Sequence, residues 1–310
     1  MEVAWHFSIV TYFMKGICRL CNKEQELRGS HIIPSFIFKW LKDSSGTDFI
    51  RYGRHPSLRV QDGIKSYLLC DGCEGLFNGW ETEFANSIFH PCNEGKITSL
   101  SYRDWMLKFA VSVSWRVLNF IIDDKGLSGF PEALKEKVDD ALARWRAFLM
   151  DEAPHPAQFE QHMFLLSSVE SFSIKGVPSN INRYFLRTID TDLVFGGDKV
   201  AYVYSKMCPI VLVGFVEMPH PERWKGTKIH VKKGIFGTRH YSLPSKFGEY
   251  ILDRAKEAQK LERSISAKQK KKIKETYFKD KERGIKSESF KAMAADVELF
   301  GEDAVFEEEE

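Results

Sequence analysis

The chain has 310 residues, 43% hydrophobic and 28% charged, with a formal net charge of +2. That is enough apolar material for two or three modest units, each with a core, while the near balance of charge excludes a whole-chain argument for nucleic acid or membrane binding. Of the 6 cysteines, Cys18, Cys21, Cys70 and Cys73 fall in two C-x-x-C pairs and Cys92 and Cys208 stand alone; this is unlike the framework of a small disulfide-rich secreted domain and points to a reducing, cytoplasmic compartment and a metal.

The opening "MEVAWHFSIVTYF" is apolar but has neither the basic start and cleavage site of a signal peptide nor the length of a membrane span. Met14 is a candidate natural start, with 1–14 an upstream extension. Residues 15–97 form the first unit, containing both cysteine pairs and a Gly/Ser/Asp/Arg-rich stretch, "KDSSGTDFIRYGRHPS", that reads as a long loop or an irregular hairpin. After Glu74, the residues Leu76, Phe77, Trp80, Phe84 and Ile88 recur at helical spacing. "FHPCNEG", with His90 and Cys92, reads as a helix-ending turn in preference to a second metal site.

Residues 98–160 are helical. A long apolar helix over Tyr102–Ile122, broken by Arg103, Asp104, Lys108 and Arg116, reads as buried core, and Pro131 opens a second helix that ends before Pro154. From 161 to 250 the period changes to two in "YFLRTIDTDLVF", "VAYVYSKMCPIVLVGFVEM" and "TKIHVKKGIF", which predicts a β-rich antiparallel domain; it becomes the docking surface for a protein partner under a rival reading in which the chemistry is silent until that partner binds. Residues 251–310 read as a charged helical tail, partly disordered, with the Lys-rich run "AKQKKKIKETYFKDKER" before the acidic end. The fold class is α+β.

A C-x-x-C turn presents two thiolates on one knuckle, and two knuckles close one tetrahedral Zn²⁺ site on Cys18, Cys21, Cys70 and Cys73. Four thiolates leave no open coordination position, so this zinc holds the fold and does no chemistry. The order Cys18-x-x-Cys21, Ser30-His31-Ile32-Ile33-Pro34, Leu69-Cys70-x-x-Cys73-Glu74 resembles the zinc-containing HNH (ββα-metal, treble-clef) endonucleases, nearest to the recombination endonuclease VII type, over the first third of the chain.

The resemblance implies metal-dependent cleavage of nucleic acid, DNA by family habit, in microbial defence or mobile-element biology. It places His31 as general base on the attacking water. Ser30 stands where the family commonly has Asp, and Glu74 where it commonly has Asn, so Glu74 becomes the catalytic partner that ligates Mg²⁺ or Mn²⁺, with Asp62, Asn78 and Glu81 as further metal candidates. Arg28, Arg51, Arg54, Arg59 and Lys65 would hold phosphates. The alternative is a zinc-stabilised nucleic-acid- or protein-binding module without catalysis.

Overall fold

A computed structural model describes residues 14–53, 55–95, 99–196, 199–237 and 240–305. The proposed start extension, apart from Met14, and Arg54 lie outside these residues. Strands β1 (Met14–Ile17) and β2 (Glu24–His31) flank the first knuckle, and helix α1 (Ser35–Asp43) follows Pro34. A hairpin of β3 (Ile50–Tyr52) and β4 (His55–Val60) occupies the Gly/Arg-rich stretch, with a register shift between Arg51 and Tyr52. Strand β5 (Lys65–Cys70) then runs into α2 (Asp71–Phe84).

The first sheet has the order β1-β2-β5, antiparallel throughout, with His31 opposite Lys65 and Leu27 opposite Cys70. A π-helical turn over Ala85–Phe89 continues α2 into α3 (His90–Asn93), where Cys92 is buried and the His90 ring packs on Phe36 and Phe89. Strand β6 (Leu100–Arg103) leads to the two long helices, α4 (Trp105–Lys125) and α5 (Glu132–Leu149). Asp104 caps α4 through its carboxylate on the Trp105 N–H, and Gly126, at φ 67°, ends it.

Helix α4 is long and apolar enough to cross a bilayer, yet 78% of its most apolar window is buried inside the protein. Its polar side chains are partnered there: Ser112 donates to the Phe109 carbonyl at 2.7 Å and Asn119 to the Trp115 carbonyl at 2.8 Å. The ring of Phe109 stacks on Phe84 with centroids 3.8 Å apart, which ties α4 to α2.

Strands β7 (Gln161–Leu165), β8 (Ile189–Phe195), β9 (Ala201–Met207) and β10 (Ile210–Glu217) form the main antiparallel sheet, in the order β7-β10-β9-β8. The segment from Tyr184 to Arg187, read from its periodicity as strand, instead belongs to helix α6 (Ile181–Arg187). The last expected strand is reduced to β11 (Lys233–Phe236), which pairs with β6 away from the main sheet. Alternation along the main strands does not separate core from water. Met163, Leu165, Val203 and Leu212 face α4, while Phe164, Tyr202, Tyr204 and Val211 face a second apolar layer built on α6 and α7 (Ser245–Arg263). A Cβ at Gly214 of β10 would stand 2.5 Å from Ser114 Oγ, so glycine is what lets α4 lie this close to the sheet.

One hydrophobic core runs from Cys18 through α2, α4 and α5 to the near face of the main sheet, so the N-terminal unit and the helical pair share their interior. The charged C-terminal segment is α8 (Ala267–Lys279), α9 (Lys281–Lys286) and α10 (Glu288–Phe300). Rather than standing off in solvent, α10 docks through the fully buried Asp296. Its carboxylate accepts from the backbone N–H groups of Asn182 and Arg183 at 2.7 and 3.2 Å and from Arg183 Nε at 2.8 Å.

Candidate functional site

The first knuckle closes when the Asn22 N–H donates to the Cys18 carbonyl at 2.8 Å, with Asn22 in the left-handed region at φ 58°. The second knuckle is the junction of β5 and α2, where Cys70 ends the strand and Cys73 lies in the first helical turn. Pairing of β2 with β5 brings the two together, and the four Sγ atoms lie within 4.8 Å of one another, with Cys21 and Cys70 at 3.9 Å. A tetrahedron with about 2.3 Å zinc–sulfur bonds needs sulfurs roughly 3.8 Å apart, so the set fits Zn²⁺ with small adjustment.

The electrostatics agree with that fit. Burial works to raise the Cys18 thiol, but backbone hydrogen bonds from Cys21, Cys70 and Leu20 outweigh it and bring it to about 7. Burial and the neighbouring thiols push Cys73 far up. So crowded a set cannot shed its protons together without a cation among the sulfurs. Among the described residues this is the one group of three or more His, Cys, Asp or Glu side chains close enough to share an ion.

His31 lies at the far end of β2, four residues beyond Leu27 and hence about 13 Å along the strand from the Cys70 position. Its Nε2 is buried and 2.8 Å from Asp62 Oδ2, without the alignment of a hydrogen bond, and its ring stacks on Phe38. Burial opposes ionisation of Asp62, but the Lys65 ammonium, the adjacent His31 ring and the Gly63 N–H at 2.9 Å prevail and hold its carboxyl at about 2. Lys65 Nζ lies 2.9 Å from the same oxygen.

The two departures from the HNH pattern meet each other: the buried Ser30 hydroxyl donates to Glu74 Oε2 at 2.5 Å. Glu81, one of the metal candidates, is taken by Arg116, whose Nη2 donates to its Oε1 at 2.6 Å. Asn78 is exposed on α2. His31, Asp62, Glu74 and Glu81 therefore do not gather into a cage for a divalent ion. Of the residues expected to hold phosphates, Arg28 is paired with Asp71 and Lys65 with Asp62, while Arg51 and Arg59 face each other across the β3–β4 hairpin.

Sequence reasoning missed Arg116 as a site residue. It is 1% exposed, donates through Nη1 to the His31 carbonyl at 2.8 Å and through Nε to the Ser112 carbonyl at 3.3 Å, and lies against the Phe77 ring. It thereby fixes the backbone of His31 to α2 and α4 at once. The available signal was a cation in the middle of "FAVSVSWRVLNF", since a buried arginine demands a partner.

No protein-family model, curated protein or solved structure matches this chain. The chain is an α+β protein with antiparallel sheets and a four-cysteine cluster able to bind zinc.

Proposed function

We propose that this protein hydrolyses phosphodiester bonds in nucleic acid, with His31 as general base in an HNH-like site. The reading is carried by the His31–Asp62 pair, a histidine at the end of a zinc-anchored strand with a carboxylate 2.8 Å from its Nε2. Asp62, ionised down to about pH 2, stabilises the imidazolium and leaves Nδ1 as the nitrogen that takes a proton from water. The water oxygen forms the new bond to phosphorus, the bond to the sugar oxygen breaks, and that oxygen leaves with a proton from solvent. Zinc would hold the two knuckles and so the strand that bears His31. Among the described residues no preassembled cage for Mg²⁺ or Mn²⁺ is formed, and the roles assigned are those of His31 and Asp62.

The alternative, a zinc-stabilised binding module, is favoured by one observation: Asp62, Glu74 and Glu81 each already hold a partner, in Lys65, Ser30 and Arg116. Plasmid nicking separates the two readings, measured with and without added Mg²⁺ or Mn²⁺ for wild type, His31→Ala and Asp62→Asn after zinc content and folding are confirmed. Hydrolysis requires nicking by wild type, its loss in His31→Ala, and a drop of roughly 10²–10⁴-fold in Asp62→Asn, the range general acid–base groups contribute. Equal nicking by wild type and His31→Ala, or none by zinc-loaded wild type, would leave the binding module.

A further inference from the structure

Helix α8 carries Lys268, Lys270, Lys271, Lys272, Lys274 and Lys279 against Glu275 as its one acid, and none of its residues is buried. Its half-covered positions, Gln269, Ile273, Thr276 and Tyr277, form one stripe toward the body, which places Lys268, Lys271 and Lys274 in a row on the side facing water. The helix is fixed relative to the β3–β4 hairpin: the Ser266 N–H at its start donates to Ser57 Oγ of β4 at 3.1 Å. At the other end Arg283 reaches back to Asp48 at 2.6 Å and to the Ser45 carbonyl.

On the hairpin, Arg51 and Arg59 are register partners, and the Arg59 guanidinium lies 3.9 Å above the Phe49 ring. Arg51 Nη2 and Arg59 Nε and Nη2 are buried with no hydrogen-bond partner among the described residues. Arg51 Nη1 donates to the Pro56 carbonyl at 2.8 Å, and the two facing, half-buried guanidinium groups concentrate positive charge on this hairpin.

We propose that α8 and the β3–β4 hairpin form one docking face for the phosphate backbone of duplex DNA, Lys268, Lys271 and Lys274 along the helix and Arg51 and Arg59 on the hairpin. This deepens the reading of the His31 site as one that acts on nucleic acid and rests on it. The occupant follows from charge and shape. A single strand calls for stacking platforms, and the Phe49 ring is already covered by Arg59 while the exposed Phe278 ring of α8 has the Lys281 ammonium 5.3 Å from its centroid. A surface α-helix about 10–12 Å across matches the major groove of B-DNA and not the deep, narrow groove of duplex RNA.

The test is fluorescence anisotropy of a labelled DNA duplex over a series of NaCl concentrations, in a His31→Ala background so that the probe stays whole. Lys268→Gln/Lys271→Gln/Lys274→Gln, all exposed and expected to fold as the parent does by circular dichroism, should lower the slope of log affinity against log salt by about 2.7, three phosphates at about 0.9 each. Arg51→Gln/Arg59→Gln should lower it further. Parental slope and affinity in the folded lysine variant would overturn the proposal, as would tighter binding of single strands or duplex RNA, or no duplex binding by the parent. Nicking by wild type together with unchanged binding in the lysine variant would sink this face and spare the hydrolytic site. Lysine-dependent binding by a protein that never nicks would do the reverse.

Discussion

Replacing Arg116 by Met removes the cation that joins three elements. The side chain is 1% exposed and its partner Glu81 14% exposed, so the variant leaves a largely buried carboxylate without a counterion and takes a donor from the carbonyls of His31 and Ser112. Breaking one side of such a pair costs about 3–5 kcal/mol, roughly a 150- to 5,000-fold loss in the folding equilibrium. Removing both charges is different, because an apolar pair of similar volume in this place is often neutral. Arg116→Met/Glu81→Leu should therefore recover most of the loss, giving a coupling of at least about 2 kcal/mol in a double-variant cycle read by urea unfolding. The cycle also bears on function, since both variants free the His31 carbonyl. The double variant should regain stability without regaining full nicking. A cost below about 1 kcal/mol for Arg116→Met, or strictly additive single effects, would refute the assignment of Arg116 as the tie between these elements.

Purified protein should carry one zinc per chain, and Co²⁺ in its place should give the absorption bands of a tetrahedral thiolate site; their absence, or their survival in Cys73→Ser, would rule out the four-cysteine centre. Acid should weaken the fold through Glu160 and His162. The His162 hydrogen bond, helped by Lys228 and opposed by burial, holds Glu160 at about 2, and burial lowers His162 below its ordinary 6.5. A depressed carboxyl contributes stability that is present above its unfolded value near 4.5 and lost toward pH 2, while a histidine kept neutral by burial begins to cost stability as pH falls below 6.5. Urea midpoints measured from pH 7 to 3 should fall less steeply for Glu160→Gln than for wild type, and parallel curves would contradict the pairing. Asp296→Ala, which leaves two backbone N–H groups and Arg183 Nε without their acceptor, should release α10 to limited proteolysis at protease levels that spare wild type.

What was legible in the sequence is what short spacing encodes. Cys18-x-x-Cys21 and Cys70-x-x-Cys73 declare two knuckles because each is a local turn, and the apolar repeats declare α2, α4 and α5 because a helix writes its period into neighbouring residues. Period two revealed the main strands but not which faces they bury, since here both faces are apolar and covered by helices. Tyr184–Arg187 read as strand because its apolar residues also suit a short helix under a sheet. The contacts that define the candidate site span long separations, Arg116 to His31 and Glu74 to Ser30, and no local pattern encodes them. The landing place of the C-terminal helices was illegible for the same reason: a solvated lysine-rich face says nothing about what its opposite side touches.

The clamp that α9 and α10 place on the segment after α1 sets an order of events during synthesis. The Glu288 N–H donates to the Ser44 carbonyl, Ser289 Oγ accepts from the Gly46 N–H, and Arg283 holds Asp48, so the loop leading into the arginine hairpin is pinned by residues made some 240 positions later. At translation rates of about 5–20 residues per second, the cysteine-bearing unit waits roughly 12–50 s on the ribosome before that loop is secured. Over that interval the cysteines can load metal while the hairpin and α8 have yet to take up their joint position. If that face grips DNA as proposed, it would be completed only once α9 and α10 have emerged, after the cysteines have been able to load metal.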